Sequence, residues 1–221
     1  MGLWRKKFYR LTHLPGFYIF LIVIITILSF FINAFPDMLL SIRFFSIGLI
    51  AVLAIILTSI ELKRSTLRID LENLLDLMIK SIFGSYENKY RSNIMLFDYH
   101  KKFLEIKYRS HQMKGALDRN LKINIDEYPD LCASLSILTG APFWTNVANV
   151  QGHKKLLKEN KVSKLIKSIF STPIIDKNGI IIGVLNVDSN YTIMHSGLKD
   201  DKVYNRIIEY SDIIGENWIY W

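Results

Sequence analysis

The chain has 221 residues, 50% of them apolar and 22% charged, so it is long enough for one or two domains and too apolar for bulk disorder. Its formal net charge is +8, from 28 Lys+Arg against 20 Asp+Glu. A single cysteine, Cys132, rules out an intrachain disulfide and a four-cysteine zinc site.

Charge is unevenly placed. Arg5, Lys6, Lys7 and Arg10 head the chain, and between Pro15 and Glu61 only Asp37 and Arg43 are charged. Residues 17–35 form an uncharged run of 19, about 28 Å as a helix, which matches the hydrocarbon thickness of a bilayer. Pro36 and Asp37 interrupt it, and residues 38–60 form a second apolar run with Arg43 near its start, where the side chain can snorkel to headgroups. So short a connection predicts an antiparallel transmembrane hairpin. The basic flanks (Arg5, Lys6, Lys7 and Arg10 before it, Lys63, Arg64 and Arg68 after it) put both ends in the cytoplasm. Arg43 is a small vote the other way. The expectation is a multi-pass protein of the inner membrane with the lipid bilayer as a partner. A signal peptide fits poorly, since its apolar core would span only about 7–15 residues and end in small residues. No Asp, Glu, Lys or His lies at mid-depth, which argues against a proton relay. Thr26, Ser29, Asn33, Ser41, Ser46, Thr58 and Ser59 would let helices approach closely, so a homo-oligomer is expected, and a plain anchor fits equally.

Residues 66–83 read as an amphipathic helix, with Leu67, Leu71, Leu74, Leu75, Met78 and Ile82 on one stripe. It follows the second span almost directly. Strands are predicted at 92–98 and 103–109, joined by a turn at 99–102. A short helix follows at 129–138, opened by Pro129 and closed by Gly140, then a short strand at 142–147. The best strands are 165–175 and 180–188, on either side of the turn at 176–179. Helical periodicity returns at 200–217, with Val203, Ile207, Tyr210 and Ile214 in line. This order implies an α+β domain with an antiparallel sheet flanked by helices. The organisation expected is a basic tail and hairpin over 1–62, a connecting helix over 63–90 and a sensor-sized domain over 91–221. That part is only mildly basic and has no Lys/Arg stripe with interleaved aromatics, so direct nucleic-acid binding is not expected.

Two stretches carry a family resemblance. Residues 136–144 read SILTGAPFW, and residues 168–189 read SIFSTPIIDKNG followed by IIIGVLNVDS. A strand ending in Pro-Ile, a D-x-x-G turn and the following IIGVLNVDS resemble the last hairpin of GAF domains, the small-molecule sensors related to PAS. The resemblance covers about 70–215, and the helices at 66–83 and 200–217 match that family's back-face bundle. In its own right Gly183, inside a strand, implies close backbone packing. Alternation puts Ile182, Val184, Asn186 and Asp188 on one face of that strand. The resemblance implies a ligand site between the sheet and the loops after the short strand. It points to Trp144, Thr145 and Asn146, to Ser171 and Thr172, and to Asn186 and Asp188. Trp144 suits stacking on a base or a place in the core. Asn186 and Asp188 suit a ligand or the capping of a strand end.

Other chemistry is not legible. There is no P-loop, dinucleotide fingerprint, zinc-protease helix or nucleophile elbow. His13, His100, His111, His153 and His195 have no ligand-like spacing, so no metal and no cofactor are expected. Cys132 lies in an apolar stretch and reads as a structural thiol sooner than a nucleophile. GAF-fold methionine sulfoxide reductases need several cysteines, which this chain lacks. The expectation is therefore a non-enzymatic, membrane-anchored receptor. Its GAF-like domain would bind a small molecule, a cyclic nucleotide or oligonucleotide second messenger among the candidates. Binding would favour an oligomer of the hairpin and so disrupt the membrane, by analogy with antiphage effectors. The alternative is a GAF-like interaction scaffold at the inner face of the membrane.

Overall fold

The computed structural model describes residues 15–34, 40–113, 116, 118, 120–159 and 161–217; residues 15–20, 31–34, 40–43, 60, 63–67 and 85–87 are described by their backbone alone. The basic head (Arg5, Lys6, Lys7, Arg10) and the break at Pro36 and Asp37 lie outside the described residues. The chain divides into two compact units, Met1–Leu67 and Arg68–Trp221.

The first unit holds helix α1 (Pro15–Ala34) and the opening part of helix α2 (Leu40–Phe83). Its hydroxyls bond to the carbonyl one turn back: Thr26 to Ile22 at 2.9 Å, Ser29 to Ile25, Thr58 to Ala54 and Ser59 to Ile55 at 2.8 Å. Each polar atom is thereby satisfied within its own helix. Among the described residues no helix is long and apolar enough to cross a membrane. The helices expected from the sequence are present, and the structure does not show the transmembrane hairpin.

The second unit is an antiparallel sheet of six strands in the order β3-β2-β1-β6-β5-β4. The strands are β1 (Tyr90–Asp98), β2 (Phe103–Arg109), β3 (Lys122–Asn124), β4 (Phe143–Asn146), β5 (Ser168–Ile175) and β6 (Ile181–Ser189). Helices α3 (Cys132–Thr139), α4 (Gln151–Lys158) and α5 (Asp201–Asn217) complete it. The antiparallel α+β architecture expected from the sequence is present, and β3 and α4 are additions to it. Helix α3 starts three residues after Pro129, and β5 starts at Ser168 where 165 was expected.

Both faces of the sheet are covered, which is why β5 and β6 are buried almost throughout. The helix face carries Ile94, Phe170, Ile174, Leu185 and Val187, all at 0% exposure. Against this face lie the last turns of α2, through Leu71, Leu75, Met78 and Ile79, and helix α5, through Ile207 and Ile214. Hydrogen bonds fix both helices: Ser92 Oγ donates to Leu75 O at 3.5 Å and Ser211 Oγ to Pro173 O at 2.8 Å. Gly215 lets α5 come this close, since a Cβ there would stand 2.0 Å from Ile175 O. Gly183 is under the same constraint, since a Cβ there would stand 2.2 Å from Met95 O, beside the irregular register of β1. The other face carries a second core of Met95, Leu104, Ile106, Ile123, Tyr128, Leu131, Leu156 and Val184, roofed by the loops around α3 and α4.

Candidate functional site

Register builds the site. On the loop-covered face, Arg91 of β1 stands opposite Asp188 of β6, and Asn93 stands opposite Asn186. Asn186 in turn stands opposite Ser171 of β5. Two polar rows therefore cross the middle strands, one residue pair apart.

The Asn row is a hydrogen-bonded chain. Asn186 Nδ2 donates to Asn93 Oδ1 at 2.9 Å, and Ser171 Oγ donates to Asn186 Oδ1 at 2.6 Å. The charged row centres on Arg91. Its Nε donates to Asp188 Oδ2 at 2.9 Å, its Nη1 to Asp118 Oδ1 at 2.8 Å and its Nη2 to Asp118 Oδ2. Asp118 comes from the segment between β2 and β3 and closes a two-pronged bond on the guanidinium. Asp118 and Asp188 are buried and Arg91 is largely so. Asp188 Oδ1 and Asn93 Nδ2 have no hydrogen-bond partner among the described residues.

These rows form the floor of a cavity of about 60 Å³. Its walls are mainly apolar, with Met95, Ile106, Leu131, Leu156 and Ile166 prominent, and Cys132 and His153 enter from α3 and α4. Helix α4 is pinned by Gly152 N–H donating to Asp130 Oδ2 at 3.0 Å, which brings the neighbouring His153 into the wall.

Burial sets the protonation states. Asp188 is pushed up to about 6 by burial, with Arg91 pulling it back down and Asp118 pushing it further up. Burial pushes His153 down to about 4, against the opposing pull of Asp130, so its imidazole is neutral at pH 7. Burial also lifts the Cys132 thiol to about 12, with Asp188 adding to the effect. Such a thiol is protonated at neutral pH and is a poor nucleophile. Burial works against the Arg91 charge, but Asp188 and Asp118 outweigh it and hold its pKa above the ordinary value. Among the described residues no group of three or more His, Cys, Asp and Glu is placed to hold a metal.

Of the residues pointed to by sequence, Ser171, Asn186 and Asp188 line the cavity together. Trp144 and Thr172 do not. Trp144 lies parallel to Phe170 with centroids 6.5 Å apart and edge-on to Tyr204 of α5 at 5.5 Å, which places it on the helix face. Thr172 is buried on that same face beside Leu185. Thr145 is half-buried outside the lining, its hydroxyl 3.4 Å from Asn146 O. Asn146 Oδ1 accepts from Ile193 N–H at 2.7 Å and so anchors the loop after β6. Arg91, Asn93, Asp118, Cys132 and His153 were not among the expected site residues. An arginine alternating with Asn93 and Met95 at the head of an apolar strand is a sequence signal that could have found Arg91 and Asn93; none marks Asp118, Cys132 or His153.

With this geometry in place, comparison with solved structures identifies the fold. The GAF domain region of a protein from Geobacter sulfurreducens PCA matches with a TM-score of 0.51 and 21% identity, over 71% of this chain and 95% of that one. Free methionine-R-sulfoxide reductase from Neisseria meningitidis, in complex with its substrate, matches with a TM-score of 0.50 and 18% identity, over 69% of this chain and 78% of that one. No protein-family model and no curated protein matches the chain. The second unit thus has the fold of a GAF domain. One neighbour is an enzyme, so the fold alone does not separate a binding domain from a catalyst.

Proposed function

We propose that the second unit is a small-molecule sensor domain and that the chain is a homo-oligomeric receptor anchored by its N-terminal helices at the cytoplasmic face of a membrane. One observation carries the sensor reading: buried polar side chains from β1, β5, β6 and α4 converge on a single cavity with apolar walls. A few aimed polar groups inside an apolar shell are what a ligand pocket needs for orientation and affinity. The membrane reading rests on the uncharged run at 17–35 and its basic flanks.

Size narrows the ligand. A cavity of about 60 Å³ is less than half the roughly 150 Å³ that takes up benzene in an engineered protein core. A cyclic nucleotide or oligonucleotide is too large for this volume, and a ligand of a few heavy atoms suits it better. Ligand binding shifts the oligomer only by its difference in affinity between two states. Membrane disruption of the antiphage kind would be one output of such a shift. The Cys132 thiol, protonated and buried, gives no support to a reductase cycle.

The test uses the full chain in detergent micelles and in liposomes. A thermal-shift screen of small amines, acids, alcohols and nucleotides is followed by dye release from liposomes with any hit. A hit with a dissociation constant a hundredfold below the concentration used adds about 2.7 kcal/mol of stability. A saturable melting shift with altered oligomer mass supports the receptor. A folded protein that no compound shifts, and that instead holds a stable protein complex, supports the scaffold. Recovery from the soluble fraction after alkaline extraction of membranes removes the anchor.

A further inference from the structure

Among the described residues the charge count in the cavity is unbalanced. Arg91 is the one cationic side chain among the described lining residues, and Asp118 and Asp188 both bond to it. His153 brings no compensating charge at pH 7, and Asp130 stands beside it. Cys132 is a neutral thiol, and the charged groups facing Asp188 among the described residues are Arg91 and Asp118. The guanidinium is also used up: its Nε, Nη1 and Nη2 all bond to these carboxylates. What remains is an acceptor, Asp188 Oδ1, on a side chain only 5% exposed that lines the cavity. The His153 ring, 7% exposed and also lining the cavity, has no hydrogen-bond partner among the described residues. A buried site with surplus negative charge and an unused carboxylate oxygen is complementary to a hydrogen-bond-donating cation.

We propose that the cavity binds a small organic ammonium ion, a primary amine on a short apolar chain, with its nitrogen on Asp188 Oδ1 and its chain against Met95, Ile106 and Leu131. This rests on the sensor reading above and names the ligand class for that site. The apolar walls disfavour a hydrated metal cation, which would lose its water without new oxygen ligands. An anion would meet two carboxylates and a guanidinium already occupied. Asn93 Nδ2 and the N–H of the neutral His153 ring are uncharged donors, which do not offset two carboxylates for an anion and which suit a hydroxyl next to the amine.

The test compares isosteric probes on the full chain in detergent by titration calorimetry, at constant ionic strength set with sodium chloride. The probes are propylammonium, butylammonium, propionate, butyrate and 1-propanol. The expected result is a dissociation constant at least tenfold lower for the ammonium ions than for the matching acids or alcohol. Asp188→Asn is expected to remove that preference, the ammonium ions losing at least tenfold in affinity relative to 1-propanol. A pH arm needs no variant. Between pH 7.5 and 5.0 Asp188 gains most of a proton, so ammonium binding weakens about tenfold while 1-propanol binding does not change. His153, with its pKa near 4, stays mostly neutral over that range. Stronger binding of the acids, or ammonium binding that neither pH nor Asp188→Asn affects, overturns the proposal and leaves the sensor reading standing. Binding of none of the probes overturns it too, and if the wider screen is also blank, the sensor reading falls with it.

Discussion

The two faces of the six-stranded sheet are made by alternate residues of the same strands and are packed to different ends. On the helix face β5 contributes Phe170 and Ile174 and β6 contributes Leu185 and Val187, none with any exposed surface. On the loop face the same two strands contribute Ser171, Asn186 and Asp188, bonded to Asn93 and Arg91 over a cavity. One face is a dry joint between sheet and helices, where dispersion and burial dominate. The other keeps a void and buried charge, both of which cost stability. The difference teaches where to look for function: at the face whose packing is incomplete.

The largest effect expected from this contrast is on stability. Phe170→Ala removes a ring that is wholly buried between Trp144 and Tyr204, and is expected to cost about 4 kcal/mol. Ile169→Ala, the neighbouring residue but on the cavity wall, is expected to cost about 2 kcal/mol, because the side chain is only half-buried. Denaturant midpoints of the two variants give the comparison. Equal losses would mean that the loop face is packed as tightly as the helix face.

A smaller effect separates two buried titrations on the loop face. Asp188 is held at about 6 against an ordinary 3.8, so its folded form takes up a proton more readily than the unfolded chain. Its stabilising share is full below 3.8 and is lost as pH rises through about 6. His153 is held at about 4 against 6.5, so its share is full above 6.5 and is lost as pH falls through about 4. Between pH 6.5 and 4 the two oppose each other, each worth about 3 kcal/mol. His153→Gln removes one side. Relative to the parent protein it is expected to gain about 3 kcal/mol on acidification across that window, read as a rising melting temperature. Asp188→Asn is expected to do the reverse. Parallel melting profiles for all three proteins would show that neither group is buried in the way the structure has it.

Much of this was legible in the sequence because it depends on local periodicity. Strand β2 lies at 103–109 as expected, β1 extends the expected strand by two residues, and the final hairpin turns at 176–179. What escaped depends on pairing. β3 is three residues long, too short to show a period, and exists through its bonds to Phe103–Glu105. Helix α4 has few apolar residues and is fixed instead by Asp130. Sequence pointed to Ser171 and Thr172 as a pair, although neighbours in a strand face opposite ways, and only Ser171 reaches the cavity. Arg91 needs the register of β1 on β6 before its partner Asp188 can be seen. Asp118 needs the fold of a loop. Long-range register is the information that periodicity does not hold.

The smallest effect expected tests the residue on which the two faces were most easily confused. Trp144 is 39% exposed, parallel to Phe170 and edge-on to Tyr204. A tryptophan near a ligand site suits stacking on a base, but this one stands on the far side of the sheet from Asp188. Trp144→Ala should therefore act through packing alone. The lost aromatic contacts are worth about 1 kcal/mol, and the exposed part of the ring contributes little more. Ligand affinity, measured with whichever compound shifts the parent protein, should stay within a factor of two, because nothing on the cavity floor touches this ring. A tenfold loss of affinity with an unchanged melting temperature would be the opposite pattern. It would put the binding surface on the edge strand β4 and end the distinction between a dry face and a binding face.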